Sequence, residues 1–260
     1  MNLLGNYKDQ TIDTKKPILL FEDAGHKIYW LGIDEDTAFR CNVYMICDDD
    51  EYIIVDPGNR AYFETVKEKV AQITDPKNVG KLILCHQDPD VSASMVDWLE
   101  FNSDITIVSS GRTNVLLPHY GISNYNFLDI VVDKQLVFKS GRVLEFIEAP
   151  FLHFAGAFTT LDKTSNFLFS GDICAALDID WKLVVSEDEF MMHETYMDLF
   201  HIDYMASNIA TRGYVRKLDG KQIDAILPQH GSLINGINVE DALDYLKNLQ
   251  CGTDIVYSDL

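Results

Sequence analysis

Basic residues are scarce in this sequence. The chain of 260 residues has 21 Lys and Arg against 41 Asp and Glu, which gives a formal net charge of −20. A surface this acidic repels the phosphate backbone of nucleic acids and the anionic face of a membrane. We therefore expect no nucleic acid and no membrane as a partner, whereas a basic protein partner is allowed. A plainer interpretation of the acidic excess is that it keeps the protein in solution.

Cysteines are few and isolated. The count is odd, and no Cys-x-x-Cys occurs. Thiols in apolar surroundings are usually small core residues, and this is the interpretation that the pattern favours. Cys174 follows two residues after Asp172, so a ligand role for its thiol is the alternative. The five are Cys41, Cys47, Cys85, Cys174 and Cys251.

Long apolar runs are also missing. No run approaches the length of a membrane span, and the polar stretch Met1–Lys16 has no signal-peptide core. These observations predict a cytoplasmic protein. A hydrophobic content of 47% over 260 residues is enough for a packed core, so we expect a single domain over residues 1–260.

The central pattern of the sequence is a short apolar run, Leu82–Cys85, which ends in three possible metal ligands. His86, Asp88 and Asp90 follow it at alternate positions. Side chains at positions i, i+2 and i+4 of an extended strand end point the same way, so these three can converge. Carboxylates packed this closely raise one another's pKa unless a cation neutralises them. The pattern predicts a metal site, and the plain alternative is a polar loop with a chance histidine.

The same pattern occurs three more times along the chain. Three further apolar runs each lead to one possible ligand, in turn His153, Asp172 and His230. Each run is typical of a buried strand that delivers a ligand at its C-terminal end, the edge where covered sheets build their sites. The four strand ends together predict a dinuclear site of three imidazoles and three carboxylates. Such a hard donor set suits iron or manganese better than a thiolate-rich set would.

Apolar periodicity and turn signals predict strands with helices between them. Strands are predicted at 18–21, 27–33, 39–47, 52–56, 82–85, 105–108, 130–132, 136–138, 143–149, 159–161, 166–169 and 221–227. Helical segments are predicted at 61–74, 92–101, 113–117, 187–216 and 239–249, with Pro118 ending the third. This order predicts an α/β (α+β) fold in which two strand-rich halves with flanking helices pack sheet on sheet.

Together these motifs resemble the metallo-β-lactamase fold. A strand followed by His-x-Asp-x-Asp, a later His, then Gly171-Asp172 and finally Pro228-Gln229-His230 is similar to that fold, from Lys27 to the last helix. An acidic residue at the second motif position, Asp88 here, is typical of the flavodiiron proteins. The resemblance implies a four-layer αββα sandwich, with two mixed sheets packed face to face and helices outside.

Two features differ from the flavodiiron proteins and point to one group within that family. The flavodoxin domain of the flavodiiron proteins does not follow the metal domain here, so no FMN is expected. Val91 stands where that family has a further histidine. Both features resemble the stand-alone oxygen-binding diiron proteins linked to bacterial chemotaxis.

The resemblance also implies a ligand set. Two iron ions would be held by six side chains: His86, Asp88 and His153 on one ion, Asp90 and His230 on the other, and Asp172 bridging both. Manganese or zinc are possible substitutes for the iron. With Val91 in place of the histidine, the second ion would keep open positions for O2, or for NO.

The function implied by the resemblance is an O2-binding sensor that reports to a chemotaxis signalling protein. Turnover would be slow or absent unless an external electron donor supplied electrons. An O2 or NO reductase using such a donor is one alternative, and a metallo-hydrolase of a lactone, thioester or phosphodiester is another. A metal-free scaffold is the fourth interpretation, and a homodimer is plausible by resemblance alone.

Weaker substrate-binding candidates lie outside the ligand set. They are Val91, Tyr196, His201 and Tyr204. The last three belong to the segment 187–216, which is rich in Met and aromatic residues and is a candidate cover for the site. The plain interpretation of such a segment is ordinary core.

Overall fold

The computed structural model describes residues 1–8, 10–32, 38–178 and 181–259 of the chain. Within these ranges, the first half forms one sheet whose strands lie side by side in chain order. They are β1 (Ile18–Asp23), β2 (His26–Trp30), β3 (Tyr44–Asp48), β4 (Glu51–Val55), β5 (Val79–Ile83), β6 (Thr106–Ser109) and β7 (Asn126–Asp129). The pairs from β1 to β4 are antiparallel and those from β4 to β7 are parallel, so the sheet is mixed.

The second half forms another mixed sheet. Its strands are β8 (Gln135–Val137), β9 (Val143–Glu148), β10 (Phe158–Asp162), β11 (Phe167–Gly171), β12 (Ala225–Pro228) and β13 (Ile234–Asn235). They lie in the order β13-β12-β11-β10-β9-β8. Only β11 and β12 pair in parallel among the described strands of this sheet. Their C-terminal ends therefore reach the same edge of the sheet.

Helices cover the outer face of each sheet. They are α1 (Phe63–Val70), α2 (Pro89–Ser92), α3 (Met95–Phe101), α4 (Gly111–Asn114), α5 (Phe190–Tyr204), α6 (Asn208–Lys217), α7 (Asn238–Asn248) and α8 (Thr253–Val256). Buried side chains of α1 and α3 pack on the first sheet. Those of α5, α6 and α7 pack on the second.

Alternating side chains place the core between the sheets. In β4, Ile53 and Val55 belong to the cluster shared by the two sheets, whereas Ile54 packs under the helices of the first half. Successive strand residues point to opposite faces, so one strand serves both layers. The same alternation occurs in β11 and β12. The predicted four-layer αββα sandwich is therefore the observed fold.

A buried polar network joins the two sheets. The His26 ring lies 2.9 Å from Asp48 through Nδ1 and 3.0 Å from Asp162 of the second sheet through Nε2. Arg142 also donates to Asp48, at 3.0 Å. Because His26, Asp48 and Asp162 are fully buried, this network is a polar contact inside an otherwise apolar interface.

Several predicted element bounds are wrong. The strand predicted at 39–47 is limited to Tyr44–Asp48, because the residues before it leave the sheet and contact the second half, where the Asn42 N–H donates to Gln229. The strand predicted at 130–132 is a turn, and the preceding residues 126–129 form the strand instead. There the apolar run is misleading, since Val132 is 76% exposed.

Helix ends also differ from prediction. Pro118 lies inside a 3-10 turn, Leu117–Tyr120, so it begins a turn and does not end a helix. The helical segment predicted at 187–216 is two helices, because Ser207 caps α6 by accepting a hydrogen bond from the Ala210 N–H. The strand predicted at 221–227 is confined to β12. Ile33, at the end of another predicted strand, lies outside the described residues.

Candidate metal centre

Three of the predicted ligands follow β5 in the first sheet. His86 lies three residues after the end of β5, Asp88 is the residue before α2, and Asp90 lies in its first turn. Their convergence therefore depends on a loop and a helical turn, and the extended strand end that the sequence predicted stops at Ile83. The Ser92 hydroxyl donates to the His86 carbonyl at 2.5 Å, which holds the loop against the helix.

The other three predicted ligands come from the second sheet. His153 lies in the loop after β9, Asp172 directly follows β11, and His230 comes two residues after β12. Since β11 and β12 are parallel neighbours, Asp172 and His230 emerge at the same edge. The six side chains thus meet at the boundary between the sheets, three from each half of the chain.

Four side chains form the first group of possible ligands. The Nε2 of His153 lies 2.9 Å from Asp172 Oδ2 and 3.4 Å from Asp88 Oδ2. The Nε2 of His86 lies 3.1 Å from the same Asp172 oxygen. One ligand atom from each residue lies within 4.8 Å of all the others. This spacing is what a single ion bound by all four requires.

A second group lies beside the first. The Nε2 of His230 lies 3.1 Å from Asp90 Oδ2, and Cys41 completes a set whose ligand atoms lie within 4.8 Å of one another. Cys41 attracted no attention in the sequence beyond its interpretation as a core thiol. No local pattern surrounds it, because its neighbour His230 comes from the far end of the chain.

Asp172 connects the two groups. Its Oδ2 contacts the imidazoles of the first group, and its Oδ1 lies 3.8 Å from His230 Nε2 in the second. The residue is 5% exposed. Each carboxylate oxygen therefore faces a different cluster, which is the geometry of a bridging carboxylate.

The donor atoms of the site fit a bound cation. Within the described part of the chain, the buried His86 Nε2, His230 Nε2 and Asp172 Oδ1 have no hydrogen-bond partner. Although His86 Nε2 lies close to Asp172, the two groups are not aligned as donor and acceptor. Buried polar atoms are rarely left unpartnered in native proteins. Imidazole nitrogens and carboxylate oxygens directed at a common volume are satisfied by a metal ion.

The outer nitrogens of two imidazoles fix the direction of the rings. His230 Nδ1 donates to the Arg40 carbonyl at 2.9 Å, and His86 Nδ1 lies 3.0 Å from the Cys85 sulfur. A hydrogen bond at one ring nitrogen presents the other nitrogen to a metal, as is usual for metal-binding histidines. In both rings Nε2 is therefore the atom that faces the site.

Carboxylates and imidazoles of the site shift one another's pKa values. Burial lowers the pKa of His86, but the Asp172 carboxylate outweighs it and raises that pKa well above its usual value. Burial raises the pKa of Asp172, but the imidazoles of His86 and His153 outweigh it and hold that pKa well below the usual range. For His230, contacts with Asp90 and Cys41 overcome burial and raise the pKa to about 10. The carboxylates thus favour positive charge here.

Asp56 supports the site from behind and was missed in the sequence, where it was interpreted only as the end of a strand. Its Oδ1 accepts a hydrogen bond from the Cys85 N–H at 2.9 Å, which fixes the residue before His86. Complete burial raises the pKa of Asp56 to about 6. Its backbone has φ of +50°, a strained conformation that is common where a structure positions functional groups.

A cavity of about 490 Å³ opens onto both ligand groups. Its apolar wall consists of Phe39, Phe200 and Tyr204. Phe200 and Tyr204 stack with ring centroids 4.7 Å apart, and the Phe39 ring lies 4.2 Å from that of His230. The second half of α5 therefore borders the cavity, although Phe200 also belongs to the apolar cluster under the second-half helices, as the plain interpretation of the segment 187–216 implies.

The weaker candidates fall in different places. Tyr204 lines the cavity, whereas His201 is buried behind it, accepting from the Cys174 N–H and facing the Met197 carbonyl at 2.8 Å. Tyr196 lines a separate cavity of about 220 Å³. Val91 is fully buried in α2. Of the four, only Tyr204 is placed by the structure where a bound molecule would meet it.

Among the described residues, no helix has the length and apolar character needed to cross a membrane.

Two solved structures of the chemotaxis sensor ODP are similar to this chain. The apo state of that sensor from T. denticola is 30% identical, with a TM-score of 0.84, and the match covers 94% of this chain and 99% of the sensor. A structure of its peroxy diiron species is 29% identical, with a TM-score of 0.82, over 94% of this chain and 100% of that one. These matches confirm the predicted resemblance and fold.

Flavodiiron proteins are also related. The Flavo-diiron protein FprA2 of Clostridium acetobutylicum is 25% identical over 215 residues, which are 80% of this chain and 52% of the relative. The chain spans about half the length of that curated relative. A family model described as ODP family beta lactamase matches residues 39–231. Together with the fold and the convergence of the six side chains, this match shows that the chain belongs to the ODP family of β-lactamase-like proteins.

Proposed function

We propose that this chain is a diiron protein that binds O2 and serves as an oxygen sensor. The observation that carries the proposal is Asp172, whose two oxygens each face a separate cluster of ligand atoms. The similarity to the chemotaxis sensor ODP over almost the whole of both chains supports O2 as the molecule bound. A reduced iron pair held by these residues would supply the electrons that O2 binding requires.

The proposed ligand set follows the two clusters. One ion is bound by His86, Asp88 and His153, the other by Asp90 and His230, and Asp172 is shared. Three imidazoles with three carboxylates suit iron, and manganese or zinc would compete for the same donors. Each ion would take ligands from both sheets, so the intact fold is required for either ion to bind.

The walls of the cavity give the site its selectivity. Phe200 is 1% exposed and lies against the His153 ring at 5.6 Å between centroids. Together with Phe39 it presents an apolar surface directly above the ligands, which suits a small neutral molecule and disfavours charged substrates. Tyr204, which is 55% exposed, lies at the mouth of the cavity.

Signalling requires a second protein. By analogy with the chemotaxis sensor, we propose that a chemotaxis signalling protein recognises the chain in its two oxygen states. The acidic surface, with a net charge of −20, favours a partner with a basic face. An external electron donor would be needed to return the ions to the reduced state.

The proposal is tested by loading the protein with Fe(II) in the absence of air. We expect about two irons per chain by elemental analysis, then uptake of O2 and a lasting change in visible absorption when air is admitted. His230→Gln should reduce the iron content, whereas the matched control His119→Gln should not, because His119 lies in the 3-10 turn Leu117–Tyr120, outside both clusters.

Other outcomes would select the alternatives. Rapid and repeated reduction of O2 or NO with an added electron donor would favour a reductase over a sensor. Hydrolysis of a lactone, thioester or phosphodiester by the zinc-loaded protein would favour a hydrolase. Failure to bind any iron, or no response of the loaded protein to air, would contradict the proposal.

A further inference from the structure

We propose that Cys41 is a protein ligand of the second ion, bound through its thiolate. The inference rests on the two-metal site proposed above and adds a ligand of a different chemical class. The sulfur of Cys41, a carboxylate oxygen of Asp90 and the Nε2 of His230 all lie within 4.8 Å of one another. Cys41 is 2% exposed, and its side chain lines the cavity over the site.

The backbone fixes Cys41 in this position. It forms an isolated antiparallel bridge with His230, and the next residue, Asn42, donates its backbone N–H to the Gln229 carbonyl at 2.6 Å. The Asn42 side chain donates to the carbonyls of Pro228 and Gly231 at 2.9 and 2.8 Å. The thiol is therefore held against the second cluster by three hydrogen bonds from Asn42 to carbonyls of the neighbouring chain segment.

The His230 imidazole is directed at the same volume. It is fully buried, and its Nδ1 donates to the carbonyl of Arg40, the residue before Cys41. Among the described residues, its Nε2 has no hydrogen-bond partner. An unpartnered nitrogen beside a buried sulfur and a carboxylate indicates a site for a cation, because each of the three atoms is a common metal ligand.

Three other cysteines show what an ordinary core thiol looks like in this protein. Cys47 belongs to the apolar cluster under the first-half helices, and Cys174 and Cys251 belong to the cluster under those of the second half. Cys41 and Cys85 belong to none of the three clusters, and of these two Cys41 is the one that lines the cavity. Cys41 therefore differs from the other four cysteines by its position at the site.

Charge balance supports the same assignment. Two divalent ions carry four positive charges, and the carboxylates of Asp88, Asp90 and Asp172 supply three negative ones, which leaves one positive charge on the site. A Cys41 thiolate cancels that charge. Its proton leaves to solvent as the sulfur–metal bond forms, since the thiolate is the ligand form.

Cys41 also evens the number of protein ligands in the two clusters, since Asp172 is shared between them. Each ion would then have four protein ligands: His86, Asp88, His153 and Asp172 for the first, and Cys41, Asp90, His230 and Asp172 for the second.

The test is spectroscopic and requires no activity. The full chain is loaded anaerobically with Co(II), and the absorption is searched for thiolate-to-cobalt charge transfer. The zinc-loaded chain is measured by X-ray absorption, which detects a sulfur neighbour at about 2.3 Å from the metal. Wild type and the control Cys47→Ala should show the charge-transfer band and one sulfur per two metals. Cys41→Ala should lose both and bind the second ion at least ~10-fold more weakly.

The outcomes separate a failure of the Cys41 assignment from a failure of the proposed function. Two bound ions with no sulfur neighbour, or a charge-transfer band that survives Cys41→Ala, would overturn the role of Cys41 and leave the two-metal site intact. A wild-type chain that binds no metal would overturn the proposed function as well. If Cys41→Ala does not fold, X-ray absorption on the wild type decides the question.

Discussion

Replacing Asp172 by Asn should empty both metal positions at once. The substitution keeps the shape of the side chain and removes its negative charge. Asp172 is 5% exposed, and its two oxygens face different ligand clusters. In the proposed site it is the one side chain shared by both ions. Asp88 and Asp90 each face a single cluster, so Asp88→Asn and Asp90→Asn are matched controls.

The expected loss of metal-binding free energy follows from the number of ions that Asp172 contacts. Even indirect partners of a metal ligand change affinity by ~10–100-fold when they are mutated, and tenfold corresponds to about 1.4 kcal/mol. A lost direct ligand should cost at least this much for each ion, which sums to about 3–6 kcal/mol over the pair. Each control should lose only the contribution of one ion.

Elemental analysis after anaerobic iron loading and gel filtration measures the result. We expect about two irons per wild-type chain, about one for Asp88→Asn and for Asp90→Asn, and less than one for Asp172→Asn. Folding of each variant is checked by circular dichroism. If Asp172→Asn retains two irons under conditions where a control loses one, the shared carboxylate is not the bridge and our assignment is wrong.

Two further predictions concern stability. Burial lowers the pKa of His26, but contacts with Asp162 and Asp48 outweigh it and raise that pKa, while His26 in turn outweighs burial and lowers the pKa of Asp162. His26 therefore contributes its full stabilisation below pH ~6.5, and this contribution is lost as pH rises through its raised pKa. Asp162 contributes its full stabilisation above pH ~3.9, and this contribution is lost as pH falls through its lowered pKa. His26→Gln should lower the free energy of unfolding by about 3–5 kcal/mol near pH ~5.5, and by less at alkaline pH, as measured by urea unfolding. A loss that does not depend on pH would contradict the charged pair. Phe200→Ala should lower the free energy of unfolding by about 3–5 kcal/mol because that ring is buried, whereas Tyr204→Ala should cost less than half as much. Equal losses in the same urea titration would show that Phe200 does not carry the packing of the site.

The layers could be predicted from sequence because β-branched and aromatic runs bounded by turn residues indicate strands, and amphipathic segments between them indicate helices. The face that each strand residue occupies could not be predicted in β4, because Ile53, Ile54 and Val55 are all apolar and divide between two layers only in the structure. The same ambiguity explains a wrong strand: the apolar run at 130–132 is a turn that follows β7.

The convergence of the six proposed ligands could be predicted because each follows a buried strand whose C-terminal end is visible in the sequence. Asp172 and His230 show this best, since β11 and β12 are adjacent and parallel. Cys41 could not be found in this way. Its role depends on a contact with His230, 189 positions later, and on the way Asn42 joins the two segments. Such pairing is a property of the tertiary structure and leaves no local pattern.

The candidate metal centre lies at the boundary between the two sheets, so binding of iron would affect the contact between the two halves of the chain. Since each half of the chain contributes three of the six proposed ligands, an ion bound at either cluster would be held by both halves. A chelator would then weaken the contact between the halves as well as empty the site. A protein that bound across this boundary would therefore detect loss of the metal as well as oxygen.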